Sequence, residues 1–230
     1  MDYITEAFVT AIKLITSFDR DVYEVVFLSL KVSLISTLLS SFVGIPLGFF
    51  IAVYKFKGRN SVITVFNTLM ALPTVVVGLF VYSLISRKGP LGILGLLYTQ
   101  KAIILGEFIL ATPLIVALSI SAIQGIDPRV KSTAITLGAG PFKVAMAILG
   151  EGRFAVLAAV IAGFGRVIAE LGSALMLGGN IRGYTRTMAT AIGLETSKGE
   201  FGFALALGFI LITVAFSVNI LLQGIQRTRR

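Results

Sequence analysis

The residues with the clearest capacity for chemistry are two opposite charges inside the otherwise apolar segment 154–177. Arg166 and Glu170 are four positions apart, so on a helix they share a face and can pair. Gly163 and Ser173 extend that face with a small and a polar residue. Ionisable side chains at membrane depth are costly and face a bundle interior or a watery path. The stripe is suited to the wall of a translocation path for a hydrated anion. Arg166 would attract the anion, and Glu170 would keep that attraction weak enough for the anion to leave. The alternative is a structural ion pair that locks two helices together.

The composition leaves little scope for covalent or metal chemistry. The 230-residue chain has neither histidine nor cysteine, which removes the commonest general base, thiolate nucleophile and metal ligands. It also lacks a GxxxxGK[ST] sequence, the phosphate-binding loop of many ATPases. We therefore expect no catalytic residue and no metal site, and an ATP-driven process would need a separate partner.

The hydropathy of the chain places it among multi-pass membrane proteins. Hydrophobic residues make up 56% and charged residues only 13%, and the mean hydropathy is +0.95. Lys and Arg number 20 against 11 Asp and Glu. A basic balance is also found in nucleic-acid-binding proteins, but with apolar runs of this length it indicates positively charged cytoplasmic loops. Membrane lipid is the expected partner, and nucleic acid is not.

Five apolar segments are each long enough to cross a bilayer as a helix, which takes about 20 residues. They are residues 22–53, 62–84, 102–123, 154–177 and 201–222. The sequence thus predicts an all-α protein with five transmembrane helices. Pro46, Pro73 and Pro113 lie inside the first three segments and predict kinks there. Glu107, in the third segment, is a predicted partner for Lys31 or for an arginine.

The flanking segments predict the domain organisation and the orientation. Residues 1–20 are too polar to span and predict an amphipathic helix at the membrane interface. Residues 21–225 form the membrane domain, and residues 226–230 form a basic tail. The tail and the short loop 54–61 are the most densely basic parts of the chain. The positive-inside rule therefore predicts an N-terminus outside and a C-terminus in the cytoplasm.

The loop 125–153, between the third and fourth segments, is predicted to form two short helices at the cytoplasmic surface. Asp127 can cap the first helix, and Pro128 suits its first position because the missing N–H costs nothing there. The glycines around Gly138 end that helix, and Pro141 begins the second one. The result is an L-shaped pair that lies on the membrane surface.

The first loop helix has two different faces. Val130, Ala134 and Leu137 recur at i, i+4 and i+7 and predict an apolar stripe towards the protein. The residues predicted to point away are Arg129, Ser132, Thr133 and Thr136. The second helix is predicted to pack through Phe142, Ala145, Met146 and Leu149. An ordinary amphipathic loop on lipid headgroups has the same pattern, so the spacing alone leaves both interpretations open.

This loop resembles the cytoplasmic coupling loop of ABC-importer permeases. The pattern of that family is Glu-Ala-Ala, three residues, glycine, nine residues, isoleucine, one residue and Leu-Pro. Ala134, Gly138 and Ile148 match it, while Ser132 and Thr133 stand in the first two positions and Gly150 and Glu151 replace Leu-Pro. In the family this helix docks in a cleft of a separate ATPase subunit. The resemblance therefore implies ATPase-coupling residues at Asp127, Pro128, Arg129, Ser132, Thr133, Ala134 and Gly138.

Longer stretches resemble the oxyanion-importer permeases for molybdate, tungstate and sulfate. They are GFGRVIAELGSALMLGGNI (163–181), GYTRTMATAIGLETSKGEF (183–201) and NTLMALPTVVVGL (67–79), and the second is most similar to the tungstate-type permeases. The likeness covers essentially all of residues 22–222. It implies the fold of a binding-protein-dependent importer permease, located in a prokaryotic cytoplasmic membrane.

The same resemblance implies the partners and the function. The chain is expected to form a homodimer with a path at the dimer axis, below an extracytoplasmic oxyanion-binding protein. Two copies of an ATPase subunit would bind ATP and Mg, so no cofactor is expected in this chain. The expected function is import of a tetrahedral oxyanion, with tungstate first and molybdate or sulfate as alternatives. A passive anion channel and a membrane scaffold are the alternatives from other classes.

Overall fold

The computed structural model describes residues 3–227, and this part of the chain is helical with no strand. Its α-helices are α1 (Tyr3–Thr16), α2 (Arg20–Val53), α3 (Arg59–Leu69), α4 (Thr74–Ile85), α5 (Gln100–Gln124), α6 (Pro128–Thr136), α7 (Pro141–Ile168), α8 (Gly172–Gly178), α9 (Met188–Lys198) and α10 (Phe201–Arg227). A short 3-10 turn occupies Gly92–Leu94. The all-α prediction is confirmed. Of the predicted basic tail, residues 228–230 lie outside the described residues.

Four of the described helices are long and apolar enough to cross a membrane. They are α2, α5, α7 and α10, and the pair α3–α4 makes a fifth candidate span if it is counted as one. The kink predicted at Pro73 is confirmed and is sharper than a bend within one helix, because the segment over residues 62–84 is divided into α3 and α4, which meet at an angle of 97°. Proline disfavours the helical conformation of the residue before it. Helix α3 ends at Leu69, before this position, and Pro73 is the N-cap of α4 in an extended conformation (ψ 128°).

The central contact of the fold is between α2 and α5, and small residues allow it. A Cβ atom on Gly48 would lie 2.7 Å from the Ser119 Cβ atom and 2.9 Å from the Val116 carbonyl oxygen. Ser40 donates a hydrogen bond across the contact to the Phe108 carbonyl oxygen at 3.2 Å. Small and hydroxyl residues are typical of tightly packed helices in lipid. Pro46 lies inside α2, which continues through it.

The fourth predicted segment differs from the structure at both ends. No separate second loop helix forms, because Pro141 begins α7, which runs 28 residues to Ile168. The face of α7 that packs near this start carries the buried residues Val144 and Ile148. The predicted packing residues Phe142 and Met146 are instead exposed. At the other end, α7 stops at Ile168, nine residues before the predicted end, and the short α8 follows after a break at residues 169–171.

Helices α1 and α9 pack on the longer helices of the fold. In α1, Ala7 and Ala11 are buried, and Gly202 of α10 approaches so closely that its Cβ atom would lie 2.7 Å from Thr10. Ile4 and Ile12 of α1 are exposed, so the apolar face predicted for this helix is only partly used. Its place at the membrane interface stays a prediction. Helix α9 begins with a Thr187–Thr190 capping box and buries Met188 and Ala191.

Candidate functional site

Helix α6 is a nine-residue helix whose two ends are defined by local sequence. The Asp127 side chain accepts a hydrogen bond from the Arg129 backbone N–H at 2.8 Å, and Pro128 occupies the first turn. At the other end Gly138 has a φ of +75° and its N–H donates to the Ile135 carbonyl oxygen. The next N–H, of Ala139, reaches back to the Ala134 carbonyl oxygen at 3.0 Å. These two bonds form a Schellman cap, which requires a left-handed residue at Gly138.

One side of α6 packs on the end of α5 and the start of α7. Val130 and Ala134 contact a buried cluster formed by Ile123 of α5 with Val144 and Ile148 of α7. This anchoring agrees with the first two positions of the predicted stripe. Leu137 does not follow them, because it lies after the last helical residue and its side chain is 81% exposed. The i+7 spacing fails there because the helix has already ended.

The opposite side of α6 is open to solvent. Arg129, Ser132, Thr133 and Thr136 are all exposed, as the sequence predicts, together with Lys131. Arg129 lies 3.3 Å from the Asp127 carboxylate, and both side chains are largely exposed. An exposed pair of this kind contributes at most about 1 kcal/mol to stability. These polar groups are therefore available to a partner, and their removal should not unfold the helix.

Sequence reasoning missed an apolar component of the same surface. Ile135, Leu137, Phe142 and Met146 are each more than half exposed around the turn that joins α6 to α7. The sequence signal was present, since a helix that ends at a glycine cannot keep the following leucine on its buried stripe. An exposed apolar group bordered by Arg129 and Lys131 has the composition of a protein-docking surface.

The predicted translocation-path residues are brought together, but mostly in the interior. The Arg166 guanidinium lies 3.7 Å from the Glu170 carboxylate. They do not share a continuous helix, because α7 ends at Ile168 and Glu170 lies in the break before α8. Glu170 accepts a hydrogen bond from the Ser173 backbone N–H at 3.0 Å. Gly163, Glu170 and Ser173 are buried within this single chain, whereas the Arg166 side chain remains 39% exposed.

The predicted pairing of Glu107 with Lys31 does not occur. Lys31 donates to the Gln100 side-chain oxygen at 3.0 Å. Glu107 is 2% exposed and interacts with Ser36 of α2, and its Oε2 atom has no hydrogen-bond partner among the described residues. The two residues are too far apart along their helices to meet, because Lys31 lies opposite the first turn of α5 and Glu107 lies two turns further along it.

A family model matches most of the chain. The family is described as "Binding-protein-dependent transport system inner membrane component", and the match covers residues 44–230. This range contains α6, its glycine turn and all four predicted path residues.

Among curated proteins, two similar relatives are tungstate uptake system permease proteins named TupB. The one from Peptoclostridium acidaminophilum is 37% identical over 226 residues, which is 98% of this chain and 99% of the relative. The one from Campylobacter jejuni is 40% identical over 228 residues, covering 99% and 95%. A more distant relative is the molybdenum transport system permease protein ModB of Escherichia coli K12, 28% identical over 218 residues and covering 90% and 95%.

Among solved structures, the chain is similar to the inward-facing MetNI methionine ABC transporter. One crystal form superposes with a TM-score of 0.75, covering 92% of this chain and 97% of the other at 16% identity. At that identity the likeness establishes the fold and leaves the transported substance open.

Proposed function

The chain belongs to the family of binding-protein-dependent inner-membrane transport components, and we propose that within it this chain is the permease subunit of an importer for tungstate. The observation that carries the proposal is α6, a capped helix that is anchored between two membrane-spanning helices and exposes its outer face. A channel or a scaffold has no need of such a helix. The tungstate assignment is supported by the two relatives at 37% and 40% identity.

The exposed face of α6 docks on a separate ATPase subunit. Arg129, Ser132 and Thr133 supply polar contacts, and Ile135 and Leu137 supply the apolar area that the docking buries. Two copies of the ATPase bind ATP and Mg below a homodimer of this chain. When ATP closes the ATPase pair, the two α6 helices move together and the membrane helices switch from inward-facing to outward-facing.

The oxyanion crosses at the dimer axis after an extracytoplasmic binding protein releases it. Arg166 is the predicted path residue with exposed charge, and its buried neighbour Glu170 tempers the attraction so that the anion is not trapped. Gly163 and Ser173 shape the helix packing behind it. In this arrangement the N-terminus is outside and the C-terminus is in the cytoplasm, so that α6 faces the ATPase.

The test is ATP-dependent uptake of tungstate into proteoliposomes that contain this chain, its ATPase and its binding protein, with molybdate and sulfate as competitors. We expect uptake to require all three components and tungstate to outcompete the other two anions. Equal uptake without ATP or without the ATPase would mean a passive channel and would refute the role of α6. If molybdate outcompeted tungstate, the substrate assignment would change to molybdate, and the ATP-coupled mechanism would be unaffected.

A further inference from the structure

A cavity of about 990 Å³ opens at the end of the molecule where α2 begins and α9 ends. This is the predicted outer side, opposite to α6. The basic residues that line it are Arg20, Lys31, Arg182, Arg186 and Lys198, and the acidic ones are Asp21, Glu24, Glu195 and Glu200. A polar cavity of mixed charge on the side that meets the binding protein lies where an oxyanion would first meet the permease.

Most of the cations in this cavity have a carboxylate partner. Arg20 pairs with Glu24 at 2.7 Å, and Arg182 pairs with Asp21. Glu195 holds both Arg186 and Lys198, at 3.3 Å and 3.2 Å. An incoming anion would have to displace a carboxylate from each of the paired arginines. These pairs therefore fix the cavity wall, although Glu195 balances only one of its two cations and leaves one positive charge in that group.

Lys31 is different, because its partner is neutral. Its ammonium group donates to the Gln100 side-chain oxygen at 3.0 Å. The Gln100 side-chain nitrogen in turn donates to the Tyr184 carbonyl oxygen at 2.9 Å. Within residues 3–227, no carboxylate oxygen lies within 4.0 Å of the Lys31 ammonium. Lys31 is thus an exposed cation whose ammonium group has one neutral acceptor and no direct carboxylate partner in this part of the chain.

The position and donor capacity of Lys31 fit a small anion. Lys31 lies ten residues beyond Asp21 on α2, which is about 15 Å along the helix axis towards the membrane interior. A lysine ammonium has three donors, so two remain after the bond to Gln100. A tetrahedral dianion offers four oxygens and binds strongly to charged donors. A cation without a carboxylate partner, deeper along α2 than the paired cations, attracts such an anion without holding it permanently.

We propose that Lys31 is the first oxyanion-binding residue of this permease, positioned by Gln100 and through it by the Tyr184 carbonyl group. The assignment rests on the proposed function, because it takes a tetrahedral oxyanion as the transported substance. Gln100 is a positioning residue, and the ion pairs around Glu195 and Asp21 shape the wall.

The chain itself offers a charge-specific test, because it contains no cysteine. Lys31→Cys introduces a unique thiol, which an aminoethyl methanethiosulfonate reagent converts into an ammonium and a hydroxyethyl reagent converts into a neutral side chain of similar length. Lys101→Cys is the matched control, since Lys101 is exposed in the first turn of α5 and does not line the cavity.

In the reconstituted importer we expect Lys31→Cys to lower the initial rate of tungstate uptake about tenfold, the loss expected for one charge-assisted contact. The aminoethyl reagent should restore the rate to within about twofold of wild type, and the hydroxyethyl reagent should not. Lys101→Cys should transport like wild type before and after either reagent. Unchanged uptake by Lys31→Cys, or equal rescue by both reagents, would overturn the proposal.

A second measurement separates this proposal from the proposed function. Equilibrium dialysis of tungstate against the purified permease–ATPase complex needs no transport, and it compares wild type with Lys31→Arg and Lys31→Gln. We expect binding to persist in Lys31→Arg and to fall about tenfold in Lys31→Gln. Equal binding by all three would refute the anion site, whether or not uptake is ATP-dependent. ATP-independent uptake by the wild type would refute the importer, whatever the dialysis gives.

Discussion

Replacing Gly138 by alanine tests the proposed ATPase-docking role of α6 through the backbone alone. A Cβ atom at Gly138 would meet nothing within 4 Å, so the substitution causes no steric clash. The φ of Gly138 is +75°, however, and this left-handed conformation costs an L-residue about 1 to 2 kcal/mol. Gly140 is the matched control, because it is equally open but has a φ of −68°, which alanine adopts without strain.

The two substitutions should therefore differ in their effect. Gly140→Ala gains about 0.4 to 1 kcal/mol by restricting the unfolded chain. Gly140 is also the N-cap of α7, where alanine is less favourable than glycine, so the two effects oppose each other and the turn should change little. Gly138→Ala strains the Schellman cap by about 1 to 2 kcal/mol. That cost corresponds to roughly a five- to thirtyfold change in the equilibrium between capped and uncapped α6. A nine-residue helix has little stability of its own, so it depends on this cap.

The assay is the affinity of the purified ATPase for the solubilised permease, followed by tungstate uptake per ATP hydrolysed in proteoliposomes. We expect Gly138→Ala to bind the ATPase about tenfold more weakly and to transport less per ATP. Gly138→Asn should fall between Gly138→Ala and wild type, because asparagine tolerates the left-handed region. Gly140→Ala should match wild type. If Gly138→Ala and Gly140→Ala bind and transport equally well, α6 does not depend on its cap in the docked state and the reasoning is refuted.

Three further predictions follow from the packing of the membrane helices. Arg166→Ala should slow tungstate uptake without preventing assembly, and normal uptake by an assembled Arg166→Ala complex would exclude the path role. In the double variant with Glu170→Gln, the thermal stability lost in Arg166→Ala should be recovered, because a buried unpaired carboxylate is removed. Gly48→Leu should destabilise the purified permease by about 1 to 3 kcal/mol, since it overpacks the α2–α5 contact, whereas Gly208→Leu, with open space around it, should leave the melting temperature nearly unchanged. Ser29→Ala should speed hydrogen exchange of the Met188 amide at the start of α9, because the Ser29 hydroxyl accepts a hydrogen bond from that amide at 2.7 Å. An unchanged exchange rate would show that this hydrogen bond does not protect the amide.

Several features of the fold could be predicted because they depend on neighbouring residues alone. Long apolar runs predict membrane-crossing helices wherever they occur. Asp127 followed by Pro128 predicts a helix start, and Gly138 predicts its end, because caps are formed within one or two turns of the chain. The outward direction of Ser132 and Thr133 follows from the helical period once the ends are known.

The candidate site was predicted less completely, because its geometry depends on where helices bend. Pro73 predicts a kink, but the angle of 97° follows from how α4 packs against α5 and α8. Arg166 and Glu170 were expected on one helix, and the break after Ile168 places Glu170 in the interior. The Arg166 guanidinium and the Glu170 carboxylate still lie 3.7 Å apart, because the break keeps the two side chains adjacent. Whether this pair borders the path stays a prediction.

The sequence by itself determined the class of the protein, its apolar segments and the capped helix between two of them, since composition, hydropathy and capping are local properties. Tertiary structure decided which face of each helix is buried and which polar groups meet. Lys31 and Gln100 are 69 positions apart, and only the packing of α2 against α5 brings them to 3.0 Å. The partner of a charged side chain is a group that lies close to it in space. In a helical bundle that distance is set by the contacts between helices rather than by spacing along the chain.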